Sequence, residues 1–291
     1  MTPKLTAFAA PLILLFSFSS LANEHQGHTP ESGFFLGLGG SYDTVYLNQN
    51  ITGDANATFT QNGSYVGNSQ STLPLLQGAS PVGTFASQGQ AGYLKHFDNS
   101  HWYWGAKFLY QYLGFNASNS FFDSMFVGES STPVTAVSDI AQATSISINH
   151  ELALFPLIGF SFKNNQIYLG VGPSLFQAKS TFSQETIYSI SGANSVNNTP
   201  ILFNDADQSH WIWGGIGQVG LTHYFSAHWF VDINYSYAFT GKNEYNDSID
   251  FTDSIHSALA GVNYSTQSSY DLHTSEYLVV QSLSLTVNAL F

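Results

Sequence analysis

Hydrophobic and polar residues alternate with a period of two in eight stretches, and that period is the mark of a β-strand with two unlike faces. Residues 229–240 carry it most cleanly: Trp229, Val231, Ile233, Tyr235, Tyr237 and Phe239 fall on one face, and Asp232, Asn234, Ser236 and Ala238 on the other. Residues 101–115 repeat it, with Trp102, Trp104, Ala106, Phe108, Tyr110 and Tyr112 opposite Tyr103, Gly105, Lys107 and Gln111. At residues 277–291, Tyr277, Val279, Gln281, Leu283, Leu285, Val287, Ala289 and Phe291 oppose Val280, Ser282, Ser284, Thr286, Asn288 and Leu290. Four further strands are expected at 33–47, 166–180, 210–225 and, with the weakest alternation, 83–97. The last is expected at 141–162, where Ile146, Ile148, Leu152, Leu154, Ile158, Phe160 and Phe162 share the apolar face and Ser145, Ser147, Asn149, Glu151, Ala153, Gly159 and Ser161 the polar one. Pro173 lacks the ladder donor and is expected to mark a bulge.

The connections alternate in length. Asp98-Asn99-Ser100, Lys163-Asn164-Asn165 and Ser226-Ala227-His228 are tight turns. Residues 48–82, 116–140, 181–208 and 241–275 lose the alternation, fill with Asn, Ser, Gly, Gln and Asp, and read as long loops. Aromatic residues gather at both ends of the apolar faces. Trp102, Trp229, Phe162 and Phe225 lie beside the tight turns, and Tyr112 and Tyr237 at the loop ends. Two aromatic belts around an apolar band are expected where amphipathic rings rest at lipid headgroups. The chain is therefore read as all-β: an eight-stranded antiparallel up-and-down transmembrane β-barrel with four long extracellular loops and three short periplasmic turns.

Composition agrees with that reading. Charged residues make up 9% of the 291, far below the roughly 25% of soluble domains. Aromatics are 15%, and past the first twenty residues no apolar run approaches the roughly 20 residues of a spanning helix. There is no cysteine, which removes disulfide and thiol chemistry. A net charge of −13, with six Lys and no Arg, argues against nucleic acid. Residues 1–22 read as a secretory signal: Lys4, an apolar stretch over 5–18, and Ser20-Leu21-Ala22 at the cleavage point. Residues 23–32 are a polar lead, and 33–291 the barrel domain.

The pattern resembles the small eight-stranded bacterial outer-membrane barrels, namely the OmpA transmembrane domain, OmpX and the opacity-type surface proteins. The resemblance rests on topology, leader, belts and the terminal aromatic strand. It implies location in the bacterial outer membrane, with outer-membrane lipid and lipopolysaccharide around the barrel. It also implies an assembly signal in Leu285, Val287 and Phe291, which would be read by the barrel-assembly machinery. No peptidoglycan-binding domain is expected after Phe291. Members of the group are scaffolds, adhesins, small pores or lipid enzymes, and fold alone does not choose among them. A monomeric surface protein without enzymatic activity is expected, structural or adhesive, with loops that could meet a host or surface ligand. A small pore is the alternative, and a lipid-modifying enzyme a lower one.

Candidate chemistry is sparse. Lys107, Glu151, Asp232 and Asp43 all fall on the inward face, and a charge there cannot stay dry and unpaired without cost. Strand tilt and rise put Lys107 and Asp232 on levels within roughly 8 Å. A lumenal polar network centred on Lys107 is expected. A Ser-His-acid set for acyl chemistry has candidates in His210, His223, His273, Ser275 and Glu276, but Ser275 and Glu276 point to opposite faces, and no catalytic residue is assigned. Asn23-Glu24-His25, as a new N-terminus, would offer the nitrogen set that suits Cu(II) or Ni(II), but it is too short to assign as a metal site, and no cofactor is expected.

Overall fold

The structure is a computed structural model and describes residues 32–77, 81–126, 135–192, 195–198, 202–257 and 262–291. The expected leader, the polar lead up to residue 31 and Asn23-Glu24-His25 lie outside the described residues. The strands are β1 (Gly33–Gln61), β2 (Ser64–Gln77), β3 (Val82–His96), β4 (Trp102–Phe126), β5 (Thr135–Phe162), β6 (Asn165–Gly192), β7 (Ser195–Asn198), β8 (Leu202–Tyr224), β9 (Trp229–Thr240), β10 (Asn243–Ser257) and β11 (Val262–Leu290). Eight of them close an antiparallel barrel in the order β1-β3-β4-β5-β6-β8-β9-β11, with β11 pairing back onto β1.

Closure is set by the terminal strand. Leu36 pairs with Ala289 and Asp43 with Ser282, and the ladder continues to Gln61 opposite Tyr264. At the turn side Phe291 N–H donates to Phe34 O (2.7 Å), and Phe34 N–H to Phe291 O (3.2 Å). A one-residue slip would turn the buried Ser282, Ser284 and Thr286 outward. Asn99 and Lys163 take positive φ (53° and 54°) in two of the tight turns.

The outer surface is apolar and belted. Phe34, Trp102, Phe162, Phe225, Trp229 and Phe291 are exposed at the turn side, and Tyr112, Tyr237 and Phe239 at the other end, with Leu36, Leu38, Leu154, Leu169, Val171, Leu283 and Leu285 between. From Trp102 to Tyr112, strand rise and tilt give a band about 25 Å tall, the height of the lipid-facing zone of such barrels.

Three expectations are corrected. The four stretches read as loops are largely paired strand: β1 continues beyond the belts into a hairpin with β2, and β4, β5, β6, β8 and β11 likewise run past them. The backbone ladder persists there although the sequence alternation does not. Ile146 and Ile148 point inward, 2% and 0% exposed. The cause is a pair of bulges: β5 shifts register between Ile148 and His150, and β4 between Tyr112 and Phe115, with Gly114 at φ 58°. The extra residue reverses which face is which, so Ser145, Ser147 and Asn149 stand half-exposed instead. At Pro173 no register shift occurs. The β5–β6 ladder is interrupted between the pairs Ala153–Ser174 and Leu157–Gly170, where Pro156 and Pro173 lack donors, and resumes in the same register.

Above the belts the wall divides. β3 begins only at Val82 and β9 ends at Thr240, so neither reaches into the outer extension. There β10-β11-β1-β2 form one sheet, and β4-β5-β6-β8, with β7 on β6, form another. Among the described residues the seams between β8 and β10 and between β2 and β4 carry no ladder. Strand rise makes the projecting arms roughly 30 Å long.

Candidate functional site: the lumen and its outer mouth

The lumen is filled in layers. Nearest the tight turns, Phe35, Leu94, Tyr103, Leu157, Tyr168, Tyr224, Phe230 and Leu290 form a buried cluster. Room for two of these rings comes from glycine: a Cβ on Gly159 would lie 2.3 Å from Tyr103, and one on Gly220 2.3 Å from Tyr168. Toward the outer side a second cluster includes Leu109, Leu113, Phe115, Ile146, Ile148, Phe155, Phe176, Ile212 and Leu278. The bulges supply part of this plug by turning Ile146 and Ile148 in.

Polar side chains lie among these apolar groups. Lys107 Nζ donates to Tyr168 Oη (2.7 Å) and meets Asp232 Oδ2 at 3.5 Å. The Tyr168 hydroxyl donates to the same Asp232 oxygen (2.9 Å), Asn234 Nδ2 also donates to it (3.0 Å), and Thr222 donates to Oδ1 (3.3 Å). Gln218 Nε2 donates to Asn234 Oδ1 (2.7 Å). The ammonium also stands over the Tyr168 and Phe155 rings, 4.7 and 5.4 Å from their centroids. From β3, Gln90 Nε2 reaches past β1 and donates to Thr286 Oγ1 (2.8 Å) and Asn288 Oδ1 (2.6 Å) on β11. A cavity of about 20 Å³, room for roughly one water, lies between Lys107, Asp232, Gln90 and the turn-side aromatics.

Asp43 and Glu151 do not join this centre. Asp43 accepts from Ser41 (2.9 Å) and sits with Ser282 and Gln111, and Glu151 is the cross-strand partner of Gln111. The four charged residues therefore fall into two groups: Lys107 with Asp232, and Asp43 with Glu151. Tyr168 bridges the first group. The alternation did not point to Tyr168 for that role, although a phenol three residues from the turn-side end of β6 is placed to reach a lumenal ion pair.

At the mouth His210 on β8 meets Glu276 on β11, Nε2 to Oε1 2.8 Å, with Glu276 1% exposed. This contact spans the base of the β8–β10 seam, just above the end of β9. Ser275 lies on the opposite face of β11 from Glu276, and His273 Nδ1 pairs with Asn246 (2.6 Å), so HTSE does not gather into one site. His223 pairs with Asn165 (2.9 Å) near the tight turns. Outside the barrel wall, Lys179 pairs with Asp207 (2.7 Å) and holds its carboxyl below the usual carboxylate range. Lys242 does the same for Glu244. Among the described residues no group of three or more His, Cys, Asp or Glu gathers as a metal site.

No family model matches the chain. It is 26% identical over 263 residues, 89% of this chain and 86% of the relative, to outer membrane protein P1 of Coxiella burnetii. The chain is an outer-membrane β-barrel. Solved structures that align with the barrel are Ail, the attachment invasion locus protein of Yersinia pestis, Neisserial surface protein A, and the outer membrane protease OmpT of Escherichia coli. Ail is 14% identical over 82% of this chain and 98% of its own, with a TM-score of 0.27. The Neisserial protein is 11% identical over 89% and 98%, at 0.28, and OmpT 8% identical over 92% and 99%, at 0.27. Scores this low carry no argument, and the architecture stands on the barrel's own strand pairing.

Proposed function

We propose that the protein is a non-enzymatic surface protein of the outer membrane, structural or adhesive, in which a filled barrel anchors two outward-projecting β-sheets. The filling of the lumen carries this reading. Apolar plugs stand on both sides of the Lys107–Asp232 layer, and eight strands leave an interior only wide enough for side chains. What is left to act is the outer extension. Its arms are rich in Asn, Ser, Thr and Tyr, with Tyr65 exposed near the tip of the β1–β2 hairpin, a composition suited to adaptable contacts. The edges of β4, β8, β2 and β10, unpaired among the described residues, add backbone donors and acceptors.

The barrel works as a monomer, surrounded by lipid and lipopolysaccharide. Phe291, Val287 and Leu285, all on the outer face, form the signal taken up by the barrel-assembly machinery, and Lys107 with Asp232, Asp43 and Glu151 serves the interior. The competing reading is a small pore. Planar-bilayer recordings on refolded protein separate the two: the plugged barrel gives no stable conductance steps, and steps that disappear in Lys107→Met would overturn the anchor reading.

A further inference from the structure

We propose that the barrel interior binds one hard divalent cation, of calcium type, between Asp43 and Glu151. Gln88, Gln111 and Glu151 are successive cross-strand partners on β3, β4 and β5, and Asp43 stands on β1 beside Ser41 and Ser282. All four point inward and are at most 3% exposed. Both carboxylates lie beside Gln111, which is the cross-strand partner of Glu151 and a side-chain neighbour of Asp43. Among the described residues no lysine or histidine pairs with either. Lys107 is committed to Asp232 and sits four residues nearer the turns than Gln111, about 10 Å along the axis.

Five side-chain atoms in this layer have no hydrogen-bond partner: Asp43 Oδ1, Glu151 Oε1, both amide atoms of Gln88, and Gln111 Nε2, which approaches Asp43 without a well-formed bond. Buried polar atoms left in this way call for a water or an ion. Two buried carboxylates without counter-charge are the costly case. The donors available, two carboxylates, amide carbonyls and the neighbouring serine hydroxyls, are all oxygen, with no sulfur or imidazole. That set selects a hard cation, and a double charge cancels the two carboxylates. Calcium accepts uneven oxygen shells, whereas magnesium holds its waters and demands a regular octahedron.

The test is to refold the protein from urea into detergent with calcium, with magnesium or with chelator, remove loose metal by desalting, and measure retained metal by mass spectrometry together with the unfolding midpoint. Wild-type protein is expected to keep about one calcium per chain and to unfold at higher urea than after refolding with chelator or magnesium. Glu151→Gln and Asp43→Asn should each lower retained calcium at least tenfold, and Asp207→Asn, on the outer extension, should leave it unchanged. Failure of wild type to retain calcium overturns the proposal, and this arm decides even where a variant does not refold. Retention that persists in the Asp43→Asn/Glu151→Gln double variant overturns it by placing the ion on the outer arms. A midpoint higher in Glu151→Gln than in wild type, whatever the metal, overturns it in favour of a proton shared by the two carboxyls.

Discussion

Replacing Lys107 with methionine removes the cation that, among the described residues, pairs with Asp232, and the surroundings set the size of the effect. Breaking a buried ion pair from one side costs about 3–5 kcal/mol, because the other charge stays behind. Here the Lys107–Asp232 contact is long, 3.5 Å, and Asp232 keeps donors from Tyr168, Asn234 and Thr222 at 2.9, 3.0 and 3.3 Å. Those donors cushion the loss, so Lys107→Met is expected at the low end, about 3 kcal/mol. Asp232→Asn leaves an ammonium with only the Tyr168 hydroxyl and two ring faces, and is expected nearer the upper end, about 4–5 kcal/mol. The double variant removes both charges and should cost less than the two losses summed, a coupling of about 2 kcal/mol or more. Urea unfolding of protein refolded in micelles, followed by tryptophan fluorescence and gel mobility before and after heating, gives all three values. Losses that add to within about 0.5 kcal/mol would show that the two residues do not stabilise each other, and would refute the argument.

Other outcomes follow from the same geometry. Gly220→Ala drives a Cβ into the Tyr168 ring and should cost about 1–3 kcal/mol in the same unfolding assay, while Gly217→Ala, whose Cβ meets nothing within 4 Å, should cost less. Deleting Phe291 removes two closing hydrogen bonds, together about 2 kcal/mol, and should lower outer-membrane levels several-fold while the refolded variant remains heat-modifiable; unchanged levels would contradict its part in assembly. His210→Ala releases the tie at the base of the β8–β10 seam and should speed limited proteolysis within residues 241–275; an unchanged cleavage rate would remove its part as a tie. Because Lys179 lowers the folded Asp207 carboxyl below its ordinary 3.8, that contact stabilises fully above about pH 4 and fades as pH falls through the lowered value. An NMR titration should show the Asp207 midpoint rise in Lys179→Met and in high salt.

Strand 229–240 was legible because each residue meets either lipid or the lumen, and the sequence writes that choice at every position. The same logic failed at Ile146 and Ile148, where one extra residue beside His150 reverses the faces, and a hydrophobic pattern does not distinguish an aliphatic plug from a lipid-facing row. The outer hairpins were hidden for a different reason: their backbone pairing comes without an alternation of apolar and polar residues, so there is no period to read. One signal was present. Asn62-Gly63, with φ of 50° and 79°, is a two-residue hairpin turn between Gln61 and Ser64, inside the polar stretch 48–82. Inward charge was visible from alternation, but the separation of Asp43 and Glu151 from Lys107 depends on level along the axis. The His210–Glu276 contact depends on β9 ending early, and no local pattern records that.

The most direct test of the anchor-and-sheet account is surface binding by whole cells that display the protein. Intact cells are compared with cells carrying variants trimmed in both sheets, across residues 50–77 and 243–274 in one and 117–144 and 181–208 in the other, each verified as a heat-modifiable barrel in the outer membrane. The account predicts that binding to a responsive surface falls to background on trimming, while Lys107→Met, once folded, binds as wild type. Binding that survives the loss of both projecting sheets would contradict it.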